Sequence, residues 1–378
     1  MSTATATRSA VATPAKSCIG SYPPGIVPAR DHTDFLAFTN GLLDIRRFLA
    51  GEPHYLQPLT PLWFSNICMD YPFDPLADCP RWKNVLTENL EGDGQRIALL
   101  QEWAGYLILP DTSQQKFMVL EGEGANGKSV YCAMLRAMLS DEAVSHVPLE
   151  CFGQRFALHS TIGRLVNIAA DCGEIDRAAE GILKSFTSGD RMFFDRKNRE
   201  PVFDVPTARM MLATNNLPRF SDRSSGLWRR MLICPFRVSI PEGRQVRGMD
   251  RASFWLESGE APGLFLWALD GLKRLRENKG FTTPNVCREA LESYRRETNP
   301  AREFLTDCVR EIEVGRIGCQ DLYGYYCEWC KKSGYRALNA SHFGREVRRR
   351  FPKIEIPRLQ TGDSRTRFYD GLCTVGDF

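Results

Sequence analysis

The chain has 378 residues, of which 43% are hydrophobic and 25% are charged, and its net charge is +3. This composition is that of an ordinary globular protein, and the length predicts two or three domains. No apolar run approaches the roughly 20 residues that cross a bilayer, which excludes a membrane-embedded protein, and so small a net charge does not by itself indicate a nucleic-acid partner.

The N-terminal residues 1–30 are rich in Ala, Ser, Thr and Pro and have no apolar core. They predict a disordered tail and not a secretion signal. The thirteen cysteines follow no disulfide framework, which indicates reduced thiols in a cytoplasmic protein. One close pair, Cys327 and Cys330 in "YYCEWCKK", lacks two further ligands at similar spacing, so core thiols are favoured over a zinc site.

The next segment, residues 31–108, is predicted to be a small, mostly helical domain. "FLAFTNGLLDI" (35–45) has the composition of an apolar strand or turn element. "FDPLADCPRWKNVLTENL" (73–90) has Pro and Asp signals followed by helical spacing. "RIALLQEWAGYLIL" (96–109) has apolar residues at helical intervals.

The central segment, residues 109–298, has the pattern of an α/β domain. Its four apolar runs, most of them ending in a polar or charged residue, are "KFMVLE" (116–121), "RLVNIAAD" (164–171), "ARMMLATNN" (208–216) and "RRMLICPF" (229–236). Apolar strands with polar groups at their carboxyl ends predict an open α/β sheet with a site along that edge. Residues 299–378 mix helices with the alternating run "KIEIPRL", an order that suits a winged-helix domain.

The glycine-rich run "EGEGANGKSV" (121–130) lies between a predicted strand and a predicted helix. Its pattern, Gly-x-x-x-x-Gly-Lys-Ser, is that of a phosphate loop, in which glycines let backbone N–H groups surround phosphates. In such a loop Lys128 reaches the β- and γ-phosphates of ATP and Ser129 supplies a hydroxyl to Mg²⁺. A plain turn is the alternative. The predicted nucleotide-binding residues are Gly122, Glu123, Gly124, Ala125, Asn126, Gly127, Lys128, Ser129 and Val130.

Three polar residues follow the next two strands and are candidate catalytic groups. Asp171 stands where a carboxylate would hold Mg²⁺, and Glu174 is a candidate for polarising the attacking water. Asn215 would lie beside the γ-phosphate and orient water. The alternatives are that Asp171 caps a turn and that Asn215 forms one before Leu-Pro.

Two adjacent arginines, Arg229 and Arg230, precede the fourth strand. A guanidinium that contacts the γ-phosphate from a neighbouring subunit would use such a residue. A solvated pair or an ion pair with a nearby acid is the alternative.

These elements together resemble a known family. From about 35 to 372 the order "NGLLDI", "CPRW", "GEGANGKS", "RLVNIAAD", "LKSFTSGDRMFFDRKN", "LATNNLP" and "LWRRMLICPF" is similar to superfamily 3 helicases. The likeness is to the helicase part of phage and plasmid primase-helicases and of the related poxvirus enzyme. It implies an AAA+-like P-loop NTPase core, a hexameric ring with ATP between subunits, and a C-terminal winged helix.

The resemblance also implies roles for individual residues. Asp171 falls on the family's metal-binding acidic position and Asn215 on its sensor position. Arg229 and Arg230 fall where the family has its trans arginine, with a slight preference for Arg230. The segment "SGDRMFFDRKNREPVF" implies a hairpin that carries single-stranded DNA in the ring channel.

Two basic clusters are candidate DNA contacts, because phosphate contacts need positive charge. Arg196, Lys197 and Arg199 lie at the predicted hairpin turn. Duplex DNA would meet the predicted recognition helix "ASHFGREVRRRF" (340–351). The candidate contacts on this helix are Arg345, Arg348 and Arg349. For both clusters, the alternative is a solvated charged surface that does not bind DNA.

The sequence therefore predicts an ATP-dependent DNA helicase of phage or plasmid replication in the bacterial host cytoplasm. Because about thirty tail-like residues precede the helical segment, we expect priming to come from a separate primase or to be absent. An alternative is a replication initiator or loader that binds DNA and uses ATP as an assembly switch. A metabolite kinase with the same loop is a third reading, and the tandem arginines and the basic C-terminal segment argue against it.

Overall fold

The fold is described from a computed structural model of the chain. The residues that it describes are 27–28, 34–60, 63–170, 175–218, 220, 225–361 and 364–375. Among the helices in these ranges, none combines the length and apolarity needed to cross a bilayer. The cysteines in these ranges are free thiols, and Cys330 is buried in the core of the C-terminal part.

The N-terminal part is a small sheet followed by helices. Its elements are β1 (Val27–Pro28), β2 (Phe35–Phe38), β3 (Gly41–Asp44), α1 (Ile45–Leu49), β4 (Leu56–Gln57), β5 (Trp63–Phe64), β6 (Cys68–Met69), α2 (Pro80–Asn89) and α3 (Gly94–Leu107). Four strands form a sheet in the order β4-β3-β2-β6, and β1 pairs with β5. The strand or turn element predicted at 35–45 corresponds to β2 and β3, and the helices predicted at 73–90 and 96–109 correspond to α2 and α3. The other strands have two residues each and are too short to show an alternating pattern.

The central part is built on a five-stranded sheet. Its elements are β7 (Phe117–Glu121), α4 (Lys128–Leu139), β8 (Val144–Ser145), β9 (Val166–Ala169), α5 (Arg177–Ser188), β10 (Met192–Arg196), β11 (Arg199–Asp204), β12 (Arg209–Thr214), α6 (Ser225–Trp228) and β13 (Met231–Pro235). The strand order is β13-β7-β12-β9-β8, and every pairing is parallel. The carboxyl ends of the strands therefore meet at one edge, and the four predicted strands are confirmed.

Both faces of this sheet are covered. Three helices follow it, α7 (Ala252–Glu257), α8 (Ala261–Asn278) and α9 (Asn285–Thr298). In β7, Met118 and Leu120 join a core with α3, α4, α8 and the N-terminal sheet, whereas Phe117 and Val119 join a second core with α5 and α9. One continuous core thus includes residues on both sides of the boundary predicted near 108.

Helices α3 and α8 cross at very close range. A Cβ atom added to Gly105 would lie 2.4 Å from the carbonyl oxygen of Ala268. A Cβ atom added to Gly271 would lie 2.1 Å from the carbonyl oxygen of Gln101. Only glycine allows these backbones to approach so closely.

The C-terminal part has a core of its own. Its elements are α10 (Pro300–Asp307), β14 (Val309–Gly318), α11 (Cys319–Lys332), α12 (Ala340–Arg350), β15 (Arg358–Thr361) and β16 (Ser364–Thr374). The strands pair antiparallel in the order β14-β16-β15. Tyr326 of α11 stacks on Phe343 of α12 with ring centroids 4.5 Å apart. Three helices and a three-stranded sheet are the elements expected of a winged-helix domain.

Candidate functional site

The glycine-rich loop joins β7 to α4, as the sequence predicts. Gly127 has a φ of 91°, in the left-handed region that favours glycine. A Cβ atom there would lie 2.1 Å from the side-chain nitrogen of Asn89. A Cβ atom on Gly122 would lie 2.1 Å from the side-chain nitrogen of Asn126. A Cβ atom on Gly122 would also lie 2.5 Å from the backbone carbonyl oxygen of Phe236. Glycine is therefore favoured at Gly122 by this close backbone approach and at Gly127 by its positive φ.

Lys128 is the first residue of α4, and its side chain turns back under the loop. It is buried, and its Nζ donates to the carbonyl oxygen of Gly122 at 2.6 Å and to Oδ1 of Asn126 at 3.1 Å. The same Nζ donates to Oδ1 of Asn215 at 3.1 Å. Asn215 directly follows β12, the strand beside β7 in the sheet. The fold thus brings together two predicted catalytic residues that are far apart in sequence.

A cavity of about 1180 Å³ opens over this edge of the sheet. Its wall includes the predicted residues from Gly124 to Val130, together with Asn215. Gly122 and Glu123 lie outside the wall. Helix α2 contributes Glu88 and Asn89 to the wall. A volume of this size suits a nucleotide-sized ligand.

Sequence reasoning missed the segment that forms the opposite wall. Residues 240–251 follow β13, and their backbone is tied to the loop by a bond from the Ile240 N–H to the carbonyl oxygen of Ala125 at 2.8 Å. Arg244, Arg247 and Arg251 of this segment line the cavity. Their spacing of three and four residues in "GRQVRGMDRA" was the available signal. The same segment also contributes Glu242 and Asp250 to the wall, so it adds one more positive than negative side chain to the cavity.

The predicted carboxylates Asp171 and Glu174 lie outside the described residues. Strand β9 ends at Ala169, and Ala170 lines the cavity, so the chain approaches the cavity just before Asp171. The wall also contains Glu150, whose Oε2 is buried and has no hydrogen-bond partner among the described residues. Within the described ranges, no group of three His, Cys, Asp or Glu side chains could hold a metal ion.

The tandem arginines lie at the opposite edge of the sheet. Met231, the first residue of β13, is aligned with Phe117 at the start of β7, one strand length from the loop. That length is roughly 16 Å for five residues, too far for Arg229 or Arg230 to reach the cavity of its own chain.

The two arginines differ in their surroundings. Arg230 is only 9% exposed, and its guanidinium donates to the carbonyl oxygen of Gly226 and to Oγ of Ser188, each at 2.5 Å. Burial lowers the pKa of Arg230, and the charge of Arg229 lowers it further. Arg229 is exposed, and Lys116 contacts only its carbonyl oxygen. The exposed Arg229 is therefore more available for a role in trans than Arg230, whose side chain is engaged within its own chain.

The predicted hairpin is formed by β10 and β11. Lys197 and Arg199 at its turn are exposed, whereas the Arg196 guanidinium bonds the carbonyl oxygen of Glu200 at 2.9 and 2.8 Å. Phe193 and Phe203 lie side by side with ring centroids 4.7 Å apart, and they are 71% and 50% exposed. The hairpin thus carries an exposed aromatic pair behind a basic turn.

In the predicted recognition helix α12, as in the hairpin, some basic side chains are free to contact DNA and one is bonded within the chain. Arg345 and Arg348 are exposed. Arg349 donates to Oε1 of Glu346 at 2.8 Å. Glu346 is itself buried and accepts a bond from Asn299 at 3.1 Å. Arg345 and Arg348 are therefore the more available contacts on this helix.

Two family models match parts of the chain. Residues 120–230 match one described as a family of unknown function, DUF5906. Residues 298–376 match the RFX DNA-binding domain. The C-terminal part is therefore a winged-helix-like domain of a DNA-binding type, and the prediction of such a domain is confirmed.

Two curated viral proteins are similar to this chain, one over most of its length and the other over about half. One from Acanthamoeba polyphaga mimivirus, named "Putative helicase", is 23% identical over 363 residues, which is 88% of this chain. The chain is thus helicase-like. A second protein with that name, from frog virus 3, is 21% identical over 55% of this chain. These findings confirm the resemblance to helicases. The chain spans 37% and 23% of the lengths of these relatives.

Solved structures of the NrS-1 C-terminal region also align with the chain. The TM-scores are 0.49 and 0.48, at 13% and 14% identity. Each alignment covers 84% of this chain and 80% of the other. These scores are too low to establish a shared fold.

Proposed function

We propose that this helicase-like chain is an ATP-driven DNA helicase that works as a ring of identical subunits, a hexamer. The observation that carries the proposal is the 3.1 Å contact between Lys128 and Asn215 beneath the glycine-rich loop. A lysine and an amide that meet at the carboxyl edge of a parallel sheet are suited to hold and sense a terminal phosphate. The cavity over them supports a nucleoside triphosphate as the ligand.

The residues of the loop and of the facing wall have separate tasks in this proposal. Backbone N–H groups from Gly124 to Ser129 surround the phosphates, and Lys128 offsets the charge on the β- and γ-phosphates. Ser129 and Asp171 are proposed to hold Mg²⁺, which would neutralise negative charge on the phosphate oxygens. Glu174 and Glu150 are the candidate carboxylates for orienting the attacking water.

Arg229 is proposed to complete the site of the neighbouring subunit. Its guanidinium is exposed at the edge of the sheet opposite to its own cavity. Such an arginine can serve only a site that another copy of the chain presents to it. There it would stabilise the charge that develops on the transferred phosphoryl group, an effect of ~10³ to 10⁵ in rate. This requirement supports the proposal that the chain works as an oligomer.

The β10–β11 hairpin is proposed to hold single-stranded DNA. Exposed aromatic rings stack on bases of any sequence, and basic side chains contact the phosphates. Phe193 and Phe203 supply the rings, and Lys197 and Arg199 supply the charges. Arg196 has a smaller role, because its guanidinium bonds the Glu200 carbonyl oxygen. Hydrolysis would then change the subunit interface and move the hairpin together with the strand.

An initiator or loader that uses ATP as an assembly switch is the second candidate function. The separate core of the C-terminal part and its match to an RFX DNA-binding domain favour it. Such a module would bind duplex DNA through Arg345 and Arg348. Both functions share the nucleotide site and differ in whether hydrolysis drives strand separation.

The test is a forked-duplex unwinding assay beside an ATPase assay with and without single-stranded DNA. We expect DNA-stimulated hydrolysis and strand separation, and we expect Lys128→Ala to abolish both. Lys273→Ala, an exposed lysine of α8, is the matched control and should retain both. ATP-dependent duplex binding without strand separation would favour the initiator. An absence of ATPase in the assembled protein would contradict the helicase, and an absence of ATP binding would contradict both functions.

A further inference from the structure

Tyr294 of α9 contacts two segments that the proposed function uses separately. It is 3% exposed, and its hydroxyl donates to the carbonyl oxygen of Pro218. Its ring packs edge-on against Trp228, with centroids 5.4 Å apart and planes at 67°. One buried side chain therefore joins the segment after β12 to the segment before β13.

The first contact leads to the proposed phosphate sensor. Pro218 is three residues beyond Asn215, and the turn between them is stiffened at its start. The Thr214 hydroxyl donates to the carbonyl oxygen of Asn216 at 2.5 Å and accepts from the Asn216 N–H at 3.1 Å. A shift of Asn215 toward a bound phosphate would therefore be transmitted to Pro218.

The second contact leads to the proposed trans arginine. Trp228 immediately precedes Arg229 and is buried. The Arg295 guanidinium lies 5.7 Å from the centre of the Trp228 ring and is itself held by Glu292 at 2.6 Å. Two consecutive residues of α9, Tyr294 and Arg295, thus contact the Trp228 ring. A displacement of this helix would therefore move the backbone that carries Arg229.

We infer that Tyr294 is a positioning residue that couples nucleotide occupancy of one site to the placement of Arg229 in the next. The inference rests on the proposed function, because it needs Asn215 to sense nucleotide and Arg229 to act on a neighbouring subunit. In one chain these two groups lie at opposite edges of the sheet. Tyr294 is a direct side-chain link between their segments. Through this link, nucleotide binding at one site would change the position of Arg229 at the adjacent site.

The experiment is hydrogen exchange measured by mass spectrometry, with and without a non-hydrolysable ATP analogue. In the unaltered protein we expect the analogue to slow exchange both in the glycine-rich loop and in residues 226–234. Tyr294→Phe keeps the ring against Trp228 and removes the donor to Pro218. We expect this variant to retain the protection of the loop and to lose the protection of residues 226–234.

Tyr71→Phe is the matched control, because Tyr71 is also buried and donates its hydroxyl to a carbonyl oxygen, that of Met138, away from the site. It should keep both protections. Trp228→Phe, which weakens the ring contact at the other end of the link, should behave as Tyr294→Phe does. A second readout is the dependence of ATPase rate on ATP concentration, which should lose its cooperativity in both coupling variants.

The outcomes separate the inference from the proposed function. If the analogue fails to protect the glycine-rich loop of the unaltered protein, or no oligomer forms, the proposed function fails. If Tyr294→Phe and Trp228→Phe keep protection at both segments and keep cooperative ATP dependence, the proposed function stands and the coupling role of Tyr294 is overturned.

Discussion

The Nζ atom of Lys128 lies 3.1 Å from Oδ1 of Asn215, a contact between the first helical residue after one strand and the first residue after its neighbour. The register of β7 and β12 produces this contact, because Glu121 is aligned with Thr214. The two side chains therefore form a single polar unit at the bottom of the cavity.

This contact predicts different effects for two substitutions of Asn215. Asn215→Ala removes one uncharged partner and should lower kcat by ~10² to 10³, the usual loss for one group that stabilises developing charge. Asn215→Asp puts a carboxylate beside Lys128, where it would pair with the ammonium and repel the γ-phosphate. We expect Asn215→Asp to bind nucleotide more weakly than Asn215→Ala in a fluorescence titration. Equal affinities would argue against a phosphate beside these residues.

The tandem arginines should separate catalysis from stability. Arg229→Ala should reduce ATPase of the assembled protein by ~10³ or more with no change in melting temperature. Arg230→Ala should lower the melting temperature, because it removes the donors to the half-buried Oγ of Ser188 and carbonyl oxygen of Gly226, hydrogen bonds that typically contribute about 1 kcal/mol each. Thermal melting beside ATPase assays would measure both. Loss of ATPase in Arg230→Ala with normal ATPase in Arg229→Ala would instead show that Arg230 acts in trans.

Substitutions in the hairpin should weaken binding of single-stranded DNA in two distinguishable ways, through loss of base stacking or through loss of a phosphate contact. Phe193→Ala and Phe203→Ala should each weaken binding by about 1–3 kcal/mol at every salt concentration, the range for one stacked base. Lys197→Ala should instead reduce the dependence of binding on salt, because one phosphate contact is lost. Tyr325→Ala, an exposed aromatic residue of α11, is the control and should bind normally. Normal binding by all three hairpin variants would exclude the hairpin as the DNA contact.

The recognition helix should show a ranking among its arginines. Arg345→Ala and Arg348→Ala should each weaken duplex binding and lower the salt slope by about one. Arg349→Ala should have the smaller effect on the slope, because its guanidinium already bonds Glu346. Fluorescence anisotropy over a salt series would measure the ranking. A dominant effect of Arg349 would show that the Glu346 contact breaks when DNA binds.

Much of the site could be predicted from the sequence, because its parts lie at the ends of strands. Each strand is an apolar run, and parallel pairing brings the carboxyl ends to one edge. Lys128 and Asn215 could therefore be expected to lie close together. The contact between Asn89 and Gly127 could not, since it joins the N-terminal part to the loop through packing of α2.

The remaining features depend on tertiary contacts that leave no local pattern. Arg229 and Arg230 are the same residue type, so the sequence does not distinguish them. Only the tertiary contacts of Arg230 with Ser188 and Gly226 show which of the two is buried. The cavity wall at residues 240–251 is irregular backbone, so neither helical nor strand periodicity marks it. The two-residue strands of the N-terminal part are too short to show a pattern, whereas β2 and β3 lie in the run that was predicted as a strand or turn element.

The central claim is that adjacent copies of the chain share each nucleotide site. It is tested most directly by mixing Lys128→Ala with Arg229→Ala protein, two variants that should each be inactive alone. In a randomly mixed ring, about a quarter of the interfaces would join an intact glycine-rich loop to an intact Arg229. We predict that ATPase activity reappears on mixing and follows the proportion of the two proteins. A mixture that co-assembles and stays as inactive as its components would contradict the claim.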